Sequence, residues 1–454
     1  MRLATLFGPD FRQTLETEPE AIREALSEFH EEDIAEICED LDIADVVALI
    51  NALPDDFAAG VVERIPDERR ALLFEKLGKT EAASLLAEMA PDDRADLVQT
   101  LELPLRDSLL LELGKIEPEA AEDIRELAAY PETAAGSIMT TAFVSVTPET
   151  KVWQAMAELR RLSKEGAAEM IYYVYGLAYG DKLVGVASLR DLILAEPGQL
   201  LSDIMVENVV RVNDTDDRED VAKTMAKYDF HALPVIDESG KMLGVITVDD
   251  VVDVVIEEAT EDAHRMGAVV PTDDTYFQTS LFLYWKSRVT WLVLLFLGGF
   301  MTASVMQSFE GALERAITLA LFIPLIISTG GNAGSQSATL IIRALAVGDL
   351  QPRDWLKVAG RELLIGISLG LVVGVLGVAR AYFASDTDAI PLALTVGVSI
   401  VSVVTVGSLL GALLPLLIQR VGLDPAVSST PFIASLSDVV GLMVYLGTAS
   451  LLMP

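Results

Sequence analysis

The sequence predicts a multidomain membrane protein: an all-α superhelical N-terminal domain, an α/β tandem pair of repeated units, and an α-helical membrane domain of five spans. Three observations carry this. Mean hydropathy is +0.41 over 454 residues, high for a soluble chain. Charge is segregated: nine acidic and nine basic side chains follow Trp285, so the net charge of −36 lies in residues 1–284, with 60 acids against 24 bases. A segment within residues 131–256 occurs twice.

These bounds exclude several classes. The length exceeds one ordinary domain. A half this acidic does not seek nucleic acid or anionic lipid. It concentrates cations, or it suits a saline habitat; both accounts fit. Cys38 is the only cysteine, which removes disulfide frameworks and thiolate metal sites. His30, His231 and His264 are scattered and read as surface or packing residues. No cleavable signal is expected before the acidic start. No phosphate loop, His/Cys cluster or Ser/His/Asp order points to an enzyme.

Residues 1–128 read as stacked short helices. Apolar residues recur at three and four in Asp33–Leu41 and Ala82–Met89. Breaks at Leu53–Asp56, Ile65–Glu68 and Ala90–Asp93 each place Pro near a helix start with acids in the first turn. The bland account is scaffolding. The sharper one notes that Asp92, Asp93 and Asp96 crowd one turn and repel unless a cation sits between them.

The repeat pairs Gly136–Met139 with Ser202–Met205, and Leu183–Asp191 with Leu243–Asp250. Helices are expected at Val152–Arg161 and Val221–Lys227. Strand, Gly, strand, Ser/Thr-x-x-Asp and helix, twice over, resembles a tandem pair of CBS domains, here 129–198 and 199–256. In that superfamily the Ser/Thr-x-x-Asp element often meets an adenosine ribose. Ser188, Asp191, Thr247 and Asp250 fit it, and adenine nucleotide (ATP) becomes a candidate ligand; alternatively Asp250 serves a divalent cation. The Ala178–Lys182 turn lacks the usual Pro-Val start, which argues against nucleotide at the first repeat.

Next comes an acidic connecting helix, 249–270. Asp249, Asp250, Asp253, Glu257, Glu258, Glu261 and Asp262 crowd about four turns. Val252, Val255, Ile256 and Ala259 are its expected apolar stripe. Such a run is either a solvated face or a self-repelling helix that divalent cations relieve.

Residues 271–454 hold five apolar blocks, about 285–306, 316–343, 361–384, 390–419 and 431–453, each long enough to cross a bilayer. Lys286, Arg288, Arg343, Arg353, Lys357, Arg361 and Arg420 fall on one side; Glu310, Glu314, Asp386 and Asp388 dominate the other. The positive-inside bias places the N-terminal domains in the cytoplasm of a multi-pass cell-membrane protein, with the C-terminus outside.

Two features inside the spans carry chemistry. Pro324–Ser337 contains Thr329, Gly330, Gly331, Asn332, Gly334, Ser335 and Gln336. It suits the wall of a path for a hydrated cation, or a small-residue helix crossing. Asp438 interrupts the last block in Ala434–Gly441. A carboxylate there costs roughly 2.5–3.5 kcal/mol on insertion scales, so it marks a cation pathway or a protonated, helix-pairing acid. Two copies facing across a twofold axis would favour a divalent ion. Asp424 reads as a helix-start residue or mouth ligand.

The order of parts, with Thr329–Gln336, Ile342–Leu345, Gly422–Ala426 and Ser437–Gly441, resembles the MgtE family of magnesium channels. The resemblance implies a homodimeric, membrane-integral magnesium channel importing Mg2+ into the cytoplasm. Its pore acid matches Asp438, in a path with Gly330, Gly331, Asn332, Gln336 and Ala434. It implies regulatory Mg2+ at Asp92, Asp96, Asp250, Glu257 and Glu258, with Asp253, Glu261 and Asp424 as further candidate ligands. The helix near Asp249–Val269 is then a plug at the pore mouth. Two other classes stand beside it: a cation-coupled divalent (Mg2+/Co2+) secondary transporter with nucleotide-sensing CBS domains, and an ATP sensor whose membrane half is only an anchor.

Overall fold

The computed structural model describes Leu26 and residues 29–164, 171–272, 276, 279–315, 317–384 and 389–452. The helical reading of residues 1–25 and 27–28 lies outside them, as do Asp386, Asp388 and the side chains of Glu314 and Arg315. The chain divides into two compact units, Met1–Val255 and Ile256–Pro454.

Among the described residues the first unit begins with eight short helices: α1 Glu31–Asp40, α2 Ile43–Ala52, α3 Asp55–Glu63, α4 Asp67–Lys76, α5 Lys79–Glu88, α6 Pro91–Thr100, α7 Leu103–Ile116 and α8 Pro118–Leu127. Proline sets several starts. Pro54 and Pro66 occupy the N-caps of α3 and α4, and Pro91 opens α6. In each, the missing N–H is one the helix would leave unsatisfied anyway. Helices this short bury only one stripe, so each needs several neighbours. α1 packs on α3, α2 on α4, α3 on α5, α4 on α6, and α5 on α7. This offset is the superhelical stacking expected from the spacing. Phe74, Leu86, Leu97 and Leu109 anchor the common core. Cys38 is sealed within it, and burial pushes its thiol up to about 12, so it is chemically inert.

The repeat forms two three-stranded sheets. β1 (Ser145–Val146) runs parallel to β2 (Tyr173–Ala178), which pairs antiparallel with β3 (Lys182–Ser188). β4 (Val212–Asn213), β5 (Ala232–Ile236) and β6 (Met242–Thr247) repeat that order. Helices α9 (Val152–Lys164) and α10 (Leu189–Leu194) serve the first sheet; α11 (Arg218–Tyr228) lies between β4 and β5. The copies interlock by exchange. Met139 of the first packs on Gly244 of the second, while Met205 of the second packs on Gly185 of the first. Reciprocal backbone bonds join Thr140 to Val245 and Val186 to Val206. The duplicated Met thus buries the duplicated Gly of the other copy, and neither repeat completes its core alone.

Helix α12 (Val248–Met266) carries the acidic run. Its buried residues are Val251 and Val254. This corrects the expected stripe: Val252, Val255 and Ile256 are exposed. A helix so rich in valine offers two adjacent apolar faces, and the packing of Val251 with Ala95 and Leu127 chooses between them.

Among its described residues the second unit contains five membrane-length stretches: Leu281–Ser308, Ile317–Ala346, Pro352–Tyr382, Ala389–Arg420 and Thr430–Leu452. We name the helices α13 (Leu281–Ser308), α14 (Glu310–Arg315), α15 (Ile317–Ala320), α16 (Ile323–Ala346), α17 (Trp355–Tyr382), α18 (Ala389–Arg420) and α19 (Thr430–Leu452). Two spans start earlier than hydropathy suggests. Ser280 caps α13, accepting from the Leu283 N–H at 3.2 Å. Gln351–Asp354 forms a capping turn ahead of α17. The second span is broken between α15 and α16 because Pro324 supplies no N–H for the turn before it. Tyr445 of α19 donates to the Leu319 carbonyl at 2.9 Å, which also accepts from the Phe322 N–H, deep in the bundle.

Helices α16, α17 and α18 touch through glycine. A Cβ on Gly411 would lie 2.0 Å from the Gly334 carbonyl oxygen, and one on Gly407 would lie 2.6 Å from that of Gly330. Gly366 and Gly370 of α17 meet the α18 backbone at Thr405 and Val401 in the same manner. Dispersion between close backbones holds such crossings together where lipid supplies no hydrophobic drive. Gly411→Ala should therefore destabilise the bundle by about 1–3 kcal/mol, as overpacking does. Gly298→Ala, where a Cβ meets nothing within 4 Å, should be silent. Thermal unfolding in detergent compares the two.

Candidate functional site

The α16 motif splits by face. Gly330, Gly334, Ser337 and Ala338 are buried. Ser328, Asn332, Gln336 and Thr339 are exposed, and Ser335, Gln336, Thr339 and Leu340 line a shallow hollow. Steps of three and four make the exposed set one polar stripe along a membrane-length helix. The two faces differ: the glycines make a close helix crossing, and the amides and hydroxyls stand on an open polar face. Gly330 is correspondingly drawn away from the open face, against Val403 of α18.

Asp438 lies on α19 and is half-buried. It sits beside α16: a Cβ on Gly331 would stand 3.5 Å from both the Asp438 Oδ1 and the Ala434 Cβ. Gly331, Ala434 and Asp438 are therefore one contact, with Asn332 at its open edge. Glycine at 331 leaves the carboxylate room that a side chain would take. Among the described residues no ion pair to Asp438 occurs.

Asp424 caps the turn Pro425–Val427, accepting from the Ala426 N–H at 2.7 Å. Its other oxygen pairs with Arg265, which also pairs with Glu261. The helix-start reading thus holds geometrically, and an arginine already occupies that carboxylate's second oxygen. Met266, beside Arg265, packs against Ile342 of α16 and Ile433 of α19.

The remaining candidates lie on the first unit and on α12. Ser188 and Asp191 form a reciprocal capping box at the start of α10. Thr247 is fully buried and donates to Asp250. Both Ser/Thr-x-x-Asp elements are spent internally on helix starts. Asp92 is buried on α6 and Asp96 exposed. Glu257 is exposed and Glu258 half-buried. Among the described residues no three His, Cys, Asp or Glu side chains converge as a ready metal cage.

On α6 and α12 the fold opposes the ionisation of Asp93 and Asp253. Burial pushes Asp93 above the ordinary carboxylate range; Arg70 and Arg64 pull it down, and Asp253 and Asp249 push it up. Burial likewise raises Asp253, with Asp249 adding to it. Magnesium keeps several waters and takes one or two carboxylates, so a pair of this kind suits it better than a closed cage does.

Sequence reasoning missed Glu362. This α17 acid is 8% exposed and accepts a 2.7 Å hydrogen bond from Ser337 of α16. A signal existed: Glu362, Gly366, Gly370 and Gly374 recur every fourth residue and share the face packed on α18. The roles of Arg265 and Tyr445 were missed too, because their partners Asp424 and Leu319 are more than a hundred residues away in sequence.

Because folding raises the Asp93 pKa, ionisation at neutral pH opposes the folded state. The associated stability is full below the ordinary aspartate range and is lost as pH rises through the raised value. Asp93→Asn should raise Tm at pH 7, remove that part of the pH dependence, and diminish the stabilisation gained from millimolar magnesium. Melting curves from pH 4 to 8, with and without MgCl2, test this.

Comparisons with known proteins agree on the whole arrangement. Residues 29–133 match the MgtE intracellular N domain, 135–198 and 201–257 the CBS domain, and 323–448 MgtE, a divalent cation transporter. The magnesium transporter MgtE of Thermus thermophilus is 44% identical over 441 residues, 96% of each chain. That of Enterococcus faecalis is 38% identical over 74% of this chain and 72% of its own. Two solved structures superpose on the soluble portion. The soluble part of a magnesium transporter does so with a TM-score of 0.51 at 36% identity, covering 54% of this chain and 96% of that one. The cytosolic domain of the Mg2+ channel MgtE in complex with ATP gives 0.52 at 35% identity, covering 56% and 100%.

Proposed function

Because this chain belongs to the MgtE family of divalent cation transporters, we propose that it is a magnesium-selective channel of the cell membrane. In this reading it admits Mg2+ to the cytoplasm and is closed by Mg2+ bound to its acidic N-terminal domains. The observation that carries the reading is the contact of Asp438 with Gly331 beside the open polar face of α16. An exposed stripe of Ser328, Asn332, Gln336 and Thr339 is unfavourable against lipid, and a second copy of the chain would turn it into a hydrated wall. Two Asp438 carboxylates across that axis attract a divalent ion twice as strongly as a monovalent one. Amide and hydroxyl dipoles can hold the ion's own water.

The inward-negative potential drives entry with about 4.6 kcal/mol per 100 mV for a divalent ion, twice the unit-charge value. Closure follows from charge. Without magnesium the acids of residues 1–262 repel; Asp253 and Asp249 add to the effect of burial in raising Asp93. With magnesium, ions bridge them, with Asp92, Asp96, Asp250, Asp253, Glu257, Glu258 and Glu261 as candidate ligands. The end of α12, where Met266 meets α16 and α19, then acts as the plug. Turning the channel from mostly open to mostly closed requires a preference of roughly 5.5 kcal/mol, which several weak sites can sum to. A relative's cytosolic domain is seen in complex with ATP; we propose that nucleotide at this CBS pair modulates the same switch.

Asp438→Asn should reduce magnesium uptake into proteoliposomes at least about 100-fold with Tm unchanged, since the loss of a buried electrostatic contact is of that order. Retained uptake would remove Asp438 from the path. Glu257→Lys or Asp250→Lys should raise the magnesium needed for closure and leave open-channel current intact; normal closure in both defeats the regulatory reading. Uptake that collapses with a sodium or proton gradient would assign a coupled transporter instead.

A further inference from the structure

We propose that Glu362 is a positioning residue for permeation: its hydrogen bond with Ser337 sets the rotation of α16 that presents Asn332 and Gln336 to the path and Gly331 to Asp438. This rests on the reading of α16 as the wall of that path. Ser337 lies five residues beyond Asn332, about 140° around the helix, so it faces away from the polar stripe. There it meets the buried Glu362 carboxylate at 2.7 Å. Behind α16 the other contacts are the glycine crossings at Gly330 and Gly334 and apolar packing of Ile326, Ile341 and Leu345. The crossings set how closely two backbones approach. Apolar packing is non-directional, so neither holds the angle of the helix as sharply as a hydrogen bond does. A hydrogen bond is directional and a buried acceptor strongly resists losing its donor. Glu362 therefore supplies the angular constraint the glycines lack. A carboxylate in a span is itself unfavourable, which makes a bystander role for it costly. Turning α16 by a fraction of a helical step would carry Gly331 off Asp438 and Asn332 off the open edge, so what suffers first is discrimination between ions.

The full-length protein in liposomes tests this, with magnesium and sodium currents measured on the same preparation. Glu362→Ala and Ser337→Ala should each lower the magnesium-to-sodium permeability ratio by about tenfold, the shift one buried hydrogen bond commands. The double variant should be no worse than either. Glu362→Gln keeps a carbonyl acceptor for Ser337 and should restore the ratio. If Glu362→Ala does not insert, Ser337→Ala carries the same test, since it removes only the donor. A fall in Tm or yield with an unchanged ratio overturns the proposal and leaves a purely structural bond. Glu362→Gln as defective as Glu362→Ala also overturns it, because charge would then matter and the bond would not. Absence of magnesium current in the wild-type protein overturns the reading of the path itself, and this inference with it.

Discussion

The second unit is built around one demand: a carboxylate must sit half-buried in a helix that crosses lipid. Asp438 has no basic neighbour among the described ion pairs, so its surroundings have to supply room and polarity. Gly331 supplies the room. The open stripe of α16 supplies the polarity. Both depend on α16 coming close enough to α18 and α19, and that closeness is made by glycine against backbone at Gly330, Gly334, Gly407 and Gly411. Larger residues at those crossings would push the carboxylate and its wall apart.

The first unit answers a different demand. Its acids exceed its bases by a wide margin, and its helices are too short to stand alone. Hydrophobic stacking between helix n and helix n+2 holds it together against its own charge. Some of that charge is neutralised internally: Arg70, buried, pairs with Asp67 and stands 3.8 Å from Asp93. Between α6 and α12 the acids Asp93, Asp249 and Asp253 act on one another. In the proposed mechanism the same repulsion that limits stability is the quantity that magnesium reads.

α12 bears on both demands. Its first half contributes Val251 and Val254 to the core under the second repeat. Its last turn carries Arg265, paired with Glu261 and with Asp424 in the turn preceding α19. An acidic helix that ends on a base can hold an acid at the start of a neighbouring segment without any metal.

Much was decided by the sequence alone. Five apolar blocks gave the number and order of the spans, because hydropathy over about 20 residues needs no partner to be read. The duplicated Met and Gly fixed the repeat, and the segregation of charge fixed which half was soluble. Asp438 stood out because a charge in an apolar run is visible without any structure. Tertiary structure decided the faces. Periodicity shows that a helix has unlike faces but not which neighbour each face meets, so its sequence does not say which way it turns. That is why Gly330 and Asn332, two residues apart, were indistinguishable until packing buried one and exposed the other. For the same reason Val251 and Val252 exchanged roles, and Glu362 passed as the polar end of a span until Ser337 was found beside it.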